Sequence, residues 1–253
     1  MQKRGQIAIW FIVGIIILTT VILGFVFKDN ILDFLRDKQL ISSLAIPKEV
    51  EPVNNFVLDC VKKTADESLA TIGLSGGYYG ITTSSNQREI PYYYLDGQLR
   101  IPSRKIIERS LSNYFNENLK YCIQNFNQFN NSFDIKSSKL SSNVKISDQQ
   151  VVFDIKYPIE VRKDEKIFTL KDFDIPVNNN LDKIYDVIVL SLNEQKNYQD
   201  ICVSCLYDIG FASNLSVGIY NQVSNEVEFI YTDNQYLLLE EPYRFIVALR
   251  FKE

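Results

Sequence analysis

Apolar positions fall into three different patterns along this chain. From Ile7 to Phe27 they are almost continuous and no residue is charged. As a helix rising 1.5 Å per residue, that run spans about 30 Å, the thickness of a bilayer's hydrocarbon core. Ala8, Gly14, Thr19, Thr20 and Gly24 are its small or polar interruptions, and threonine hydroxyls bond back to helix carbonyls in lipid. A buried core helix would be shorter and would carry charge at its margin, so the pattern predicts a single membrane-spanning helix. No proline follows until Pro47, and Ile31, Phe34, Leu35, Ile41 and Leu44 give a rough apolar stripe. That stripe fits either an outward stem or a separate juxtamembrane helix.

The second pattern has helical spacing. Val53, Phe56, Val57, Cys60, Val61, Ala65, Leu69 and Ile72 share one face behind Pro52, a good first-turn residue. This helix is expected to stop in Gly73-Leu74-Ser75-Gly76-Gly77, as a C-terminal cap rather than an anion-binding nest. Ile107, Leu111, Tyr114, Phe115, Leu119, Cys122, Ile123 and Phe126 trace a second face, with Ser103 as N-cap. Between the two, Asp96-Gly97 separates Tyr92-Tyr93-Tyr94 from Leu99-Arg100-Ile101, the signature of a type I′ hairpin. The tyrosines, with Tyr78 and Tyr79, read as strand residues or as a sugar-stacking platform.

The third pattern has a period of two and fills the second half. Val151, Phe153, Ile155, Tyr157, Ile159 and Val161 alternate with mostly polar neighbours, and Pro158 implies a sheet edge or a bulge. A turn at Lys163–Lys166 leads to a partner strand ending near Ile175. Leu181–Asn193 is expected to be a helix, although its β-branched centre also suits a strand. Leu215–Ile219, Val227–Tyr231 and Tyr243–Phe251 alternate again. The fold expected is α+β: a single N-terminal transmembrane helix, then helices packed on a mainly antiparallel β-sheet. Its parts are a basic leader at 1–5, the span and stem stripe at 6–46, a helical part with a hairpin at 47–130, and a mainly β part at 131–253. The last two form either one ectodomain or two.

Charge and composition narrow the chemistry. The chain has 27 basic and 31 acidic residues, and only Lys3 and Arg4 precede the apolar run, which leaves 25 against 31, a net of −6, beyond it. Such a surface argues against nucleic acid as a partner. Histidine is absent, which removes Ser-His-Asp and Cys-His catalysis and histidine-ligated metals. No catalytic residue, metal site or cofactor is assigned. Asp164-Glu165, Asp172 with Asp174, and Glu240-Glu241 lack calcium-loop spacing and read as solvated turns.

Four cysteines remain. Cys60 and Cys122 each lie on an apolar helix face, so antiparallel helices would allow a bridge between them; two buried thiols are the alternative. Cys202-Val-Ser-Cys205 has redox-dithiol spacing, but its flanks do not read as strand-then-helix. A local disulfide pinning a loop is expected, ahead of a thiol–disulfide enzyme or a zinc site. Asn130-Asn131-Ser132 and Asn214-Leu215-Ser216 are glycosylation sequons, which makes Asn130 and Asn214 candidate acceptors on an outward domain.

The start of the chain, Lys3-Arg4-Gly5-Gln6 ahead of the apolar run, resembles the class III signals of archaeal type IV pilin-like proteins. The resemblance covers about the first 25 residues. It implies a cut between Gly5 and Gln6 on the cytoplasmic side, with the helix retained. Such pilins usually carry Glu at the fifth mature position, and here that position is Trp10, which weakens a role as a major filament subunit. The expected protein sits in the cell membrane with its N-terminus cytoplasmic and its domain outside, in a binding or structural role. A minor pilin-like subunit is the alternative, and a thiol–disulfide enzyme comes last. Expected partners are the membrane and other envelope or pilin-like proteins.

Overall fold

The computed structural model describes residues 47–80 and 84–252. Gly5, Gln6, the run Ile7–Phe27 and the stripe Ile31–Leu44 lie outside the described residues, so the expected leader cut, span and stem do too. Among the described residues no helix is long and apolar enough to cross a membrane. The chain divides into Met1–Glu51 and Pro52–Glu253, and the second unit is α+β with mainly antiparallel strands.

Pro52 opens α1 (Glu51–Leu74) in its first turn, where a missing N–H removes no helical bond. Its end is a full C-terminal cap. The Gly77 N–H donates to the Ile72 carbonyl at 2.8 Å and the Gly76 N–H to the Gly73 carbonyl at 3.2 Å. Gly76 sits at φ 63°, the left-handed conformation this cap requires. The glycine cluster therefore terminates a helix and is not a nest for an anion.

β1 (Tyr92–Leu95) and β2 (Gln98–Leu99) form the expected hairpin, with Asp96 at φ 51° and Gly97 at φ 93°. α2 (Arg104–Ile123) follows Ser103, which holds the N-cap position without making the side-chain bond. The chain then turns through Gln124–Phe129, with Gln124, Asn125 and Phe126 at positive φ.

β3 (Asp134–Ser137), β4 (Ser141–Ser147), β5 (Gln150–Lys163) and β6 (Lys166–Asn178) make one antiparallel sheet. β5 is central: β6 pairs with one edge, and β4 and β3 pair end to end with the other, β4 along Gln150–Lys156 and β3 along Ile159–Arg162. Pro158 lies where the β5–β6 register shifts, between Lys156 and Ile159, so a bulge rather than an edge accommodates its missing donor. The alternating residues from Val151 to Val161 are all buried. α2 covers this sheet: Phe115 packs on Phe153 with ring centroids 5.6 Å apart. Its Glu108 carboxylate accepts the Ile146 N–H of β4 at 2.9 Å, which occupies a backbone donor on that strand.

α3 (Leu181–Gln195) settles the helix–strand ambiguity in favour of the helix, and α4 (Val203–Ala212) follows it. β7 (Ser216–Val223), β8 (Glu226–Leu238) and β9 (Glu241–Arg250) complete a second sheet in the order β2-β1-β9-β8-β7. In it β1 runs parallel to β9, an exception to the antiparallel rule. One face of this sheet meets the end of α1, where Gly77 lies close to Phe245 and Tyr93. The other carries Ile90, Tyr92, Leu95, Ile246 and Ala248, packed with Ile230.

Candidate functional site

α1 and α2 lie antiparallel. The cap of α1 at Gly77 meets Ile107 near the start of α2, and Cys60 in the first half of α1 is bonded to Cys122 near the end of α2, with Cα atoms 5.5 Å apart. Cys60 is 2 % exposed. Closing 62 residues of sequence, this bond is worth about 4 kcal/mol by chain entropy. Aromatic rings continue the joint: Phe56 of α1 stands edge-on to Phe129 at 5.4 Å and to Phe126 at 6.3 Å.

The second disulfide joins Cys202 and Cys205, three residues apart, and its setting differs from the loop the sequence suggested. Cys202 is the N-cap of α4 and Cys205 lies in its first turn. The helix went unrecognised because cysteine is not a common cap residue and Val203–Ala212 contains Gly210, a weak helix former. Gly210 has its own reason, since a Cβ there would overlap Val217 of β7. Buried Leu206 and Gly210, four apart, were the one periodic signal available.

Gln195 at the end of α3 fixes the approach to this helix. It is fully buried; its amide nitrogen donates to the Asp200 carbonyl at 2.9 Å, and its amide oxygen accepts the Cys202 N–H at 2.9 Å. Cys202, half-exposed like Cys205, is thus held through its backbone by a side chain that the sequence pattern gave no reason to single out.

The tyrosines do not form a sugar platform. Tyr92, Tyr93 and Tyr94 are buried, Tyr93 completely, because β1 lies between two strands with both faces covered. Burial and a hydrogen bond donated to the Glu226 carboxylate push the Tyr92 phenol up to about 12, and burial raises Tyr93 well above its ordinary value. Tyr79 donates to Glu117 at 2.7 Å and stands edge-on to Tyr114.

A charged cluster crosses the outer face of the β1–β9 sheet. The Glu228 side chain, 3 % exposed, accepts Arg88 Nη1 at 3.1 Å and Asn86 Nδ2 at 2.6 Å. Arg88 also stacks on Tyr220, 4.6 Å from the ring centroid. The Asn86 side-chain oxygen accepts the N–H groups of Arg88 and Ile90, both at 3.0 Å, which holds residues 86–90 in a tight turn over the sheet. Beside α3, Asp182 and Asp186 line a cleft of about 470 Å³, and Arg104 donates to each at 2.7 Å. The carboxylates of both places are already occupied by arginine.

Among the described residues no group of three or more Asp, Glu or Cys is placed to hold a metal ion. Asp164-Glu165 sit in the β5–β6 turn, Glu240 lies in the β8–β9 turn with Glu241 opening β9, and Asp172 and Asp174 lie along β6. Asn130 and Asn214 are both exposed, Asn130 after the turn that follows α2 and Asn214 at φ 53° after α4. Compared with protein-family models, curated proteins and solved structures, the chain matches none.

Proposed function

We propose that this chain is a membrane-anchored protein of the cell envelope whose α+β domain lies outside the membrane and binds another envelope component or an external surface. The observation that carries this reading is a conjunction. An uncharged run long enough to span a bilayer precedes a domain tied by the long-range Cys60–Cys122 disulfide. Structural disulfides persist in oxidising compartments, and they support an outward domain. Arginine already engages the partly buried carboxylates of Glu228 and Asp182, which favours a binding or structural role over acid–base catalysis. Protease added to intact cells producing the full chain should degrade the portion beyond Phe27. Protection until the cells are lysed would reject the reading.

A second reading, a minor pilin-like subunit, is favoured by Lys3-Arg4-Gly5-Gln6 ahead of the apolar run. A filament subunit has to leave the bilayer and pack its helix against copies of itself, and the class III cut is a prerequisite. Mass spectrometry should then find mature protein beginning at Gln6, with Gly5→Phe blocking the cut. Intact Met1–Gly5 on the abundant mature chain would remove this alternative and leave the plain anchor.

A further inference from the structure

The two disulfides hold different things. Cys60–Cys122 joins two helices across the core, whereas Cys202–Cys205 spans a single helical turn whose backbone is fixed by bonds that contain no sulfur. Gln195 holds Asp200 and Cys202 from the α3 side. The Leu206 N–H donates to the Cys202 carbonyl at 3.3 Å, and the Leu206 side chain is fully buried. Opening the Cys202–Cys205 bond therefore frees no other part of the fold. The two thiols stay adjacent, at a high effective concentration for re-closure. Cys202 Sγ also lies 3.8 Å from Ser204 Oγ, which sets a hydroxyl beside the sulfur at the positive end of α4.

From the anchored backbone, the accessible sulfurs and the Ser204 contact together, we infer that Cys202–Cys205 is a reversible redox pair exchanging with a dithiol of another protein, and that Gln195 is its positioning residue. In the reducing direction a partner thiolate attacks Cys202 Sγ in line with the S–S bond. That bond breaks, and Cys205 leaves with the electron pair and takes a proton from solvent. The partner's second thiol, once deprotonated, attacks its own sulfur in the mixed disulfide and releases Cys202 as a thiolate at the helix N-terminus. The partner loses two electrons and becomes a disulfide; Cys202 and Cys205 gain them and become thiols. Run backwards, the same steps oxidise the pair and reduce a partner disulfide.

The test uses the full chain in detergent, equilibrated in glutathione buffers of graded ratio and read by differential alkylation and mass spectrometry. Cys202–Cys205 should open at ratios that leave Cys60–Cys122 intact, with the far-ultraviolet circular dichroism unchanged. Cys205→Ser should trap glutathione on Cys202, at least tenfold more than Cys202→Ser traps on Cys205. Gln195→Leu should shift the glutathione equilibrium at least threefold toward the dithiol, and Gln195→Glu, which keeps the acceptor for the Cys202 N–H, should recover part of the shift. The redox pair is overturned if it opens only together with Cys60–Cys122, if opening costs helical signal, or if the adduct forms on Cys205 as readily as on Cys202. An unchanged equilibrium in a folded Gln195→Leu protein overturns the positioning role.

Discussion

The carbonyl oxygen of Arg244 on β9 occupies the space in which a side chain at Gly73 of α1 would begin. The helix packs on the sheet at backbone distance there, and Tyr243 closes the other side, its hydroxyl 3.0 Å from the same point. Alanine in place of a helical glycine ordinarily gains up to about 1 kcal/mol in propensity. Here the obstacle is a backbone atom held in the β8–β9 ladder, which cannot swing aside as a flexible side chain would. Overpacking of this kind costs about 1–3 kcal/mol. Gly73→Ala should therefore lower stability by about 1–2 kcal/mol, read as an earlier urea midpoint at unchanged slope; a midpoint equal to or above that of the parent would contradict the contact.

Much of the fold was legible because its signals are local. The alternation from Val151 to Val161, the Asp96-Gly97 turn and the paired glycines after Leu74 each specify their conformation within a few residues. Pro158 announced an edge or a bulge, because a missing N–H has few solutions within a strand, and the register shift beside it decides for the bulge. The parallel pairing of Tyr92 with Ala248 was not legible, since it joins residues remote in sequence and leaves no periodic trace. That pairing is what buries Tyr92–Tyr94 and removes the stacking platform. The candidate site divides in the same way. Cys60 and Cys122 carried their face and spacing openly, whereas Gln195 reads as an ordinary polar residue at a helix end until the backbone of Asp200 and Cys202 is seen around it.

The disulfides separate by their contribution to stability. Removing Cys60–Cys122 frees a loop of 62 residues in sequence, a loss of about 4 kcal/mol by chain entropy, while a bond across three residues is worth about 2 kcal/mol at most. Cys60→Ala, with Cys122→Ala to leave no lone thiol, should shift the denaturation midpoint by roughly the larger amount. Cys202→Ser with Cys205→Ser should retain most of the stability and the same helical signal. Equal losses in the two double variants would mean that the short disulfide holds α4 in place, contrary to the bonds that Gln195 and Leu206 make.

The turn between β1 and β2 offers a test in pH. Arg250 Nη2 donates to Asp96 at 2.8 Å and Arg250 Nε to its other oxygen at 3.4 Å, which ties the hairpin tip to the end of β9. These bonds hold the Asp96 carboxyl below its ordinary value of 3.8, with the positive charge of Arg250 adding to the effect. A carboxyl whose folded pKa lies below its unfolded one stabilises the fold above the unfolded value and loses that contribution as pH falls through the folded one. Asp96→Asn keeps the shape but removes the charge, so it should melt below the parent at neutral pH, by a small margin because the pair is open to solvent. That gap should hold down to about pH 4 and close as the solution is acidified further. Differential scanning calorimetry of both proteins from pH 7 to pH 2 follows it directly. A gap that persisted undiminished at pH 2 would show that Asp96 acts through the geometry of the turn and not through its charge on Arg250.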